Sequence, residues 1–401
     1  MISVLEAERT VLRHAAARPV EPRALTAAHG AVLREDVGAD RDQPPFDRVM
    51  MDGVALAFRA IEEGRRRFRV EAIQRAGRPP VALGNAAEGC VEVMTGAALP
   101  AGCDCVIPCE EFSVESGVVS LRDGVSPRRL QFVHRQGSDR RRGDRLLRAG
   151  CVLGPPEIAI AASVGRAELR VSRPPAAGVL STGDELVNPG CNPLPHQVRI
   201  SNAYAVRAAL LRSGVGTVRM AHAADDRAEL EPALQDLLSE SEILVLSGGV
   251  SAGRADLVPA ALDALRVRRV FHQVAQRPGR PFWFGIAEGG QPVFALPGNP
   301  VSTLVCVHRY VLPWLRAALG TVPAPPEFAV LDRGTARDGS LTCFVPVTTE
   351  SAEEAQVRAR AVPCSGSGDH AALAETSGFL ELPPGPAPLP AGSTARLHRW
   401  S

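Results

Sequence analysis

Lysine is absent from this chain of 401 residues, so all 45 basic residues are arginine. With 37 glycines, 34 prolines and abundant alanine, that arginine content reads as compositional drift rather than a demand for bidentate anion contacts everywhere. Aromatic residues are scarce at 4%, which leaves the core to alanine, valine and leucine. Net charge is scarce too. The 45 basic and 44 acidic residues leave +1, which excludes a global field for nucleic acid or a membrane surface and makes any polyanion site local. No run of roughly 18 apolar residues is present to span a membrane. The opening MISVLEAERT carries acids early and has no apolar core, unlike a signal peptide. Nine cysteines, an odd number, then predict a soluble cytoplasmic protein with reduced thiols. Cys103, Cys105 and Cys109 in CDCVIPC have no zinc-site spacing. Their alternation with Val106 and Ile107 predicts a strand with the cysteines as small buried hydrophobes.

What is present is ordinary globular chemistry, 45% hydrophobic and 22% charged, enough for a large core over about two to four domains. Ser3 and Glu6 form a capping box that opens a helix with Val4, Leu5, Val11 and Leu12 on one side. The stretches FRVEAIQ, CVEVMTG, CDCVIPC and GVVSLRD predict a mainly β domain over 46–137, inserted between segments 1–45 and 138–172 of a helical and linker domain. After SRPPAAG the pattern alternates. GVLST, VGTVRMA and EILVLSGG read as strands. SNAYAVRAALLRSG, DRAELEPALQDLLSE and VPAALDALR read as helices, the first capped by Ser201 or Asn202 and ended by Gly214. VRRVFHQVA, PFWFGIA and PVFALPG are further strands, and VSTLVCVHRYVLPWLRAALG is a long helix. The alternation predicts a doubly wound α/β domain over 173–322, with a parallel sheet covered on both faces. TVPAPPE then leads into a small β domain over 323–401.

Ligands of such a sheet bind at the carboxyl ends of its strands. Three loops there are unusual. Ser181 is followed by Thr182, Gly183, Asp184 and Glu185. Ser247 is followed by Gly248, Gly249 and Ser251, with Asp256 beyond. Leu296 is followed by Pro297, Gly298, Asn299 and Pro300, then by Ser302 at a helix start. Helix N-termini, hydroxyls and carboxylates together suit an anion with a divalent cation. Gly248 to Gly253 has the glycine spacing of a Walker A loop, but Arg254 and Ala255 stand where that loop needs Lys and Ser or Thr. Arg277 and Arg280 in RPGRP can clamp an oxyanion or form a solvated turn. Among the other acids, Asp52 lies in MMDG, Asp139 and Asp144 in GSDRRRGD, and Asp225 and Asp226 before a helix that either can cap.

MMDGVAL, VMTGAALPAGCDCVIPCEEF, STGDELVNPG, SNAYAVRAALLRSG, SGGVSAGRADLV, RPGRPFWFG and ALPGNPVSTL follow one another in this order. Together they resemble the molybdopterin molybdenumtransferases, the MoeA and gephyrin E-domain family, over nearly the whole chain. The resemblance implies molybdenum cofactor biosynthesis: adenylylated molybdopterin and molybdate as substrates, Mg²⁺ as the cation, hydrolysis of the adenylyl bond and release of AMP. It places Asp52, Thr95, Asp139, Glu185 and Asp256 at catalytic positions, with Glu185 and Asp256 at the metal. Arg277 and Arg280 stand where the family carries the lysines near molybdate, and Ser367 in SGSGDH joins them. Ser181, Thr182, Gly183, Ser247, Gly248, Gly249, Ser251, Pro297, Gly298, Asn299 and Ser302 become the substrate-binding set. A homodimer follows as an expectation, with the β domain of one subunit reaching the pocket of its partner. A molybdopterin adenylyltransferase and a molybdoenzyme or chaperone are the expected neighbours in the pathway.

The chain also departs from the resemblance. Val49, Met50, Met51, Asp52, Gly53 and Val54 replace Ser-Ala-Met-Asp-Gly-Tyr, Ile200 replaces the acid before Ser-Asn, and Arg254 replaces an acid near the presumed metal. Two alternatives stand beside the transferase: a non-catalytic cofactor-binding or scaffold paralogue, and a molybdopterin adenylyltransferase.

Overall fold

The computed structural model describes residues 1–250, 257–352, 356–385 and 388–400. The chain forms two compact units. One is Met1–Arg34, Gly150–Leu153 and Leu169–Ser401; the other is Glu35–Ala149 and Gly154–Glu168. Among the described residues no helix is long and apolar enough to cross a membrane. All nine cysteines are free thiols.

The first helix, α1 (Val4–Arg13), begins where Ser3 Oγ accepts from the Glu6 amide at 3.2 Å. It buries Val4, Ala7 and Val11 and leaves Leu5 exposed, so the apolar stripe follows the helical period and not the Leu5 side expected from the sequence. These residues share a core with the α/β sheet, which assigns the helix to the first unit.

The second unit is built on a six-stranded sheet. Its strands are β1 (Gly53–Leu56), β2 (Arg67–Gln74), β3 (Gly89–Val93), β4 (Cys105–Pro108), β5 (Phe112–Glu115) and β6 (Val118–Leu121). Their order is β4-β1-β3-β2-β6-β5. Residues on both sides of this sheet in sequence join the same unit, because Val37–Gly38 pairs with Arg145–Leu147 and Arg48–Val49 pairs with Val133–His134. Burial drives the Cys90, Cys103 and Cys105 thiols up to about 12, as small core hydrophobes require. Cys109 is exposed, because it has left the strand for the turn after Pro108.

The first unit carries the α/β sheet: β7 (Ala176–Thr182), β8 (Thr217–Ala223), β9 (Ile243–Ser247), β10 (Arg268–His272), β12 (Trp283–Ile286) and β13 (Pro292–Leu296), with the short β11 (Gln276–Arg277) elsewhere. The order is β8-β7-β9-β13-β12-β10. Alternate residues enter opposite cores. Val179, Val245 and Phe294 face α1 and α2 (Asn202–Arg212), while Leu180, Leu246 and Ala295 face α3 (Arg227–Glu240) and α4 (Val258–Ala264). Four strands are parallel. Against the all-parallel expectation, β12 runs antiparallel to β13 and β10 antiparallel to β12. The cause is local. Gly290, at φ +83°, and the Ala287–Gln291 backbone bond close a tight turn that leaves no room for a crossover helix.

The long helix after β13 is not uniform. It runs as α5 (Pro300–Cys306), a π-helical turn Val307–Val311, and α6 (Leu312–Leu319). The C-terminal strands β14 (Glu327–Leu331), β15 (Thr342–Ser351), β16 (Val357–Ala361), β17 (Gly378–Leu382) and β18 (Thr394–Arg399) close into a small barrel, since β15 pairs with both β16 and β17. Strand β11 joins its edge, with Arg277 opposite Cys343.

Candidate functional site: two joined clefts at the strand ends

Strands β7, β9 and β13 end level. Ser181 pairs with Ser247 across one ladder, and Ser247 with Leu296 across the next. The loops that follow therefore stand side by side over the carboxyl edge of the sheet. They enclose a cleft of about 600 Å³ lined by Ser181, Thr182, Glu185, Ser247, Gly248, Gly249, Pro297, Gly298 and Asn299. Two glycines let the loops converge. A Cβ on Gly248, at φ +108°, would lie 2.5 Å from the Thr182 carbonyl oxygen, and one on Gly249, at φ +64°, would lie 2.6 Å from Val258. Gly183 lines no part of this cleft; its carbonyl is occupied by the His222 ring at 3.0 Å. Asp256, expected at the metal, lies outside the described residues, as do the substrate-binding candidate Ser251 and the departing Arg254.

The cleft combines hydroxyls with carboxylates. Ser181 Oγ is buried and has no hydrogen-bond partner among the described residues, so it is a polar group held ready for a ligand. Thr182 Oγ1 donates to Asp225 Oδ1 at 2.6 Å, and the Asp225 amide donates to Asp184 Oδ1 at 2.9 Å. These bonds fix Asp225 in the cleft wall with Glu185. The neighbouring Asp226 takes the capping role instead, accepting from the Ala228 amide at 2.9 Å at the start of α3. Among the described residues no group of three or more His, Cys, Asp or Glu is placed to hold a metal ion. Two carboxylates and a hydroxyl are nevertheless a set that Mg²⁺ accepts when substrate phosphates and water complete its shell.

Asn202, expected as a helix cap, does other work. Its side-chain amide donates to Ser247 Oγ at 2.8 Å and to the Gly298 carbonyl at 2.7 Å, tying two strand-end loops together. Neither it nor Ser201 makes a side-chain capping bond to α2. Arg199 and His370 also line the cleft and supply its cationic or protonatable groups, and Ile200 forms part of its apolar wall.

A second cleft of about 870 Å³ shares Pro281, Pro297 and Asn299 with the first. Here the fold brings together Arg277, Arg280, Ser302 and Ser367. Ser302 lies in this second cleft rather than with the strand-end loops of the first. Neither Arg277 nor Arg280 forms an ion pair among the described residues, so two guanidinium groups line this cleft with Asp338 as the nearby counter-charge. Asn299 Nδ2 donates to Ser367 Oγ at 2.7 Å, and the Val301 amide donates to the Ser367 carbonyl at 3.1 Å. The SGSGDH loop is thus anchored where the two clefts meet. Asp338, at the rim, is held below its ordinary range by bonds from the Ser340 amide and hydroxyl, with a smaller contribution from Arg277.

The remaining candidates lie in the second unit. Asp52 Oδ1 accepts from both the amide and the hydroxyl of Thr95, at 2.7 Å each, which lowers its pKa. Asp139 meets the His134 ring at 2.8 Å, and His134 meets Arg48 at 3.1 Å. Val49 is buried in that unit. The sequence pattern marks Asp225 and Asn202 as helix caps and gives no reading for Arg199 or His370, all of which the fold places in the cleft. The usable signal was the Asp225–Asp226 doublet at a strand end, where one acid suffices for a cap.

Two family models match the chain, the MoeA N-terminal region (domain I and II) over residues 2–165 and a probable molybdopterin binding domain over residues 178–317. A molybdopterin molybdenumtransferase from Synechocystis sp. is 39% identical over 377 residues, covering 93% of each chain. Two solved structures of molybdopterin biosynthesis moeA proteins from Pyrococcus horikoshii superpose over all of this chain. They cover 99% and 100% of their own lengths at 28% and 23% identity, with TM-scores of 0.81 and 0.84.

Proposed function

This chain belongs to the molybdopterin molybdenumtransferase family, and from that premise we propose that its two joined clefts work as one site on adenylylated molybdopterin and molybdate. The observation that carries this reading is the shared wall at Pro281, Pro297 and Asn299, with Glu185 and Asp225 on one side and Arg277 and Arg280, which form no ion pair among the described residues, on the other. The first cleft takes the phosphate groups, and the second takes the molybdate oxyanion beside Arg277 and Arg280. Neither a scaffold nor an adenylyltransferase is favoured by the curated relatives.

Cleaving a phosphoanhydride depends on positioning and charge neutralisation more than on covalent chemistry. Glu185 and Asp225 would hold Mg²⁺, which when bound supplies positive charge against the phosphate oxygens. The Ser181 hydroxyl donates to a phosphate oxygen, Arg199 offsets the substrate charge, and His370 is a further polar group in the wall. Arg277 and Arg280 present forked donors to molybdate, with Ser302 and Ser367 beside them. Hydrolysis of the adenylyl bond releases AMP. Purified protein given adenylylated molybdopterin, Mg²⁺ and molybdate is expected to release AMP without ATP. Retained ligand with no AMP above a Glu185→Ala control would instead make the chain a binding protein.

The same reading makes the protein a homodimer with Asp52 and Thr95 acting on the partner's clefts. Met50, Met51 and Met94, all exposed beside that pair, support it as a contact surface. Co-expressed Asp52→Ala and Glu185→Ala chains are expected to recover about a quarter of wild-type activity, because half the dimers are mixed and each mixed dimer has one intact site. No recovery from the mixture would sink the shared site.

A further inference from the structure

The π-helical turn Val307–Val311 buries two polar neighbours, Arg309 and Tyr310, each 1% exposed. π turns interrupting α-helices are rare and frequent at functional sites. Arg309 donates to Glu381 Oε2 at 2.9 Å and to Glu8 Oε2 at 2.9 Å. Glu381 is the cross-strand partner of Phe344, which lines the second cleft; the adjacent Cys343 is opposite Arg277. Tyr310 faces the other wall. Its hydroxyl donates to Gln276 Oε1. Gln276, fully buried, spends its amide group on the Pro278 carbonyl at 3.1 Å and the Cys306 sulfur at 3.5 Å. A carbonyl can only accept, so the amide group must face Pro278 and the side-chain oxygen must face the tyrosine.

The turn that follows sits directly on this amide. A Cβ on Gly279, at φ +95°, would be 2.5 Å from Gln276 Nε2 and 2.8 Å from the Cys306 sulfur. Arg277 and Arg280 flank that glycine. Burial, above all, lifts the Tyr310 hydroxyl well above its ordinary pKa, so it remains a donor at neutral pH.

We propose that Tyr310 is a positioning residue for the oxyanion cleft: through Gln276 and the Pro278 carbonyl it fixes the turn that presents Arg277 and Arg280. This rests on the reading of that cleft as the molybdate site. Consecutive residues of one helical turn thus hold both walls, Tyr310 the arginine turn and Arg309 the barrel strand. The link is polar and removable without disturbing the ring, which packs 4.8 Å from Phe282.

Tyr310→Phe deletes the hydroxyl alone. In the full-length protein, half-saturating molybdate is expected to rise about three- to tenfold, the effect of one lost buried hydrogen bond. Half-saturating adenylylated molybdopterin is expected to stay unchanged. Gln276→Leu, which removes the link from its other end, should shift molybdate in the same direction. Arg277→Ala is the reference. If Arg277→Ala raises half-saturating molybdate and neither Tyr310→Phe nor Gln276→Leu does, the positioning role is overturned. A loss of melting temperature with equal changes for both substrates would overturn it too, since that is a structural role only. If Arg277→Ala itself leaves molybdate dependence unchanged, the cleft reading fails and this proposal falls with it.

Discussion

Asp225→Asn is expected to lower kcat/KM for AMP release by about 10²–10³-fold, the size of effect seen when one preorganised charge-stabilising group is removed from an active site. Two bonds position this carboxylate, from the Thr182 hydroxyl to its side chain and from its own amide to Asp184. Neither bond requires the negative charge that asparagine removes, so the fold should survive while the charge facing the first cleft is halved. Half-saturating Mg²⁺ should rise with it. Glu185→Gln should show a comparable loss, and the double variant should lose less than the product of the two, because both carboxylates serve one charge. Asp226→Asn is the internal control. Asparagine caps a helix as well as aspartate does, so this neighbour should retain activity. If Asp225→Asn turns over within a few-fold of wild type with unchanged Mg²⁺ dependence, the carboxylate pair is not the metal and phosphate site.

That Asp225 was passed over in the sequence and Glu185 was not has a physical reason. Glu185 follows a strand end directly, where an α/β sheet puts its ligands. Asp225 lies in a doublet before a helix, and a helix N-terminus has its own use for an acid. Only the fold separates the two: Asp226 bonds the Ala228 amide, while Asp225 lines the cleft. Asn202 was misassigned on similar grounds. Its place beside Ser201 at the start of α2 suggests a cap, but its amide bonds are made to residues 45 and 96 positions away in the chain. Contacts of that length leave no local trace.

Regular elements were legible because burial imposes a period. Strands β7, β9 and β13 read as apolar runs since both faces are covered, and the level ends at Ser181, Ser247 and Leu296 follow from parallel register. The antiparallel edge was less visible, since β12 and β13 have the same composition as parallel strands and only the short Ala287–Gln291 link reverses them. The π turn was invisible as well. VSTLVCVHRYVLPWLRAALG carries a continuous helical pattern, and the extra residue per turn is stabilised by partners far away, Glu8, Gln276 and Glu381. The meeting of Arg277, Arg280 and Ser367 in one cleft depends on the barrel strand β15 pairing with β11, which no local pattern announces.

Those distant partners carry the largest expected effect on stability. Arg309→Met should destabilise the protein by about 3–5 kcal/mol at pH 7, because it leaves the largely buried Glu8 and Glu381 carboxylates without the guanidinium between them. Burial alone would raise the Glu381 pKa, but the His398 hydrogen bond and the Arg309 charge overcome it and hold Glu381 at about 2. The folded value lies below the ordinary 4.5, so this carboxylate's stabilisation is complete above that pH and is lost as pH falls from about 4.5 towards 2. His398 and His308 act earlier in acid. Burial, the leading cause for each, lowers them below 6.5, so their contribution also fades as pH drops through 6.5. Denaturant unfolding of wild type and Arg309→Met at pH 7, 5 and 3 separates these contributions. Wild type should weaken at each step, and the gap to the variant should narrow between pH 5 and 3, where the stranded Glu381 protonates more readily than the paired one. Adding Glu8→Gln and Glu381→Gln to Arg309→Met should recover part of the loss at pH 7, because no charge is then left buried alone. A variant within about 1 kcal/mol of wild type at pH 7, the net value of an ordinary neutral hydrogen bond, would show that water reaches the two carboxylates and that the π turn is held by its apolar neighbours instead.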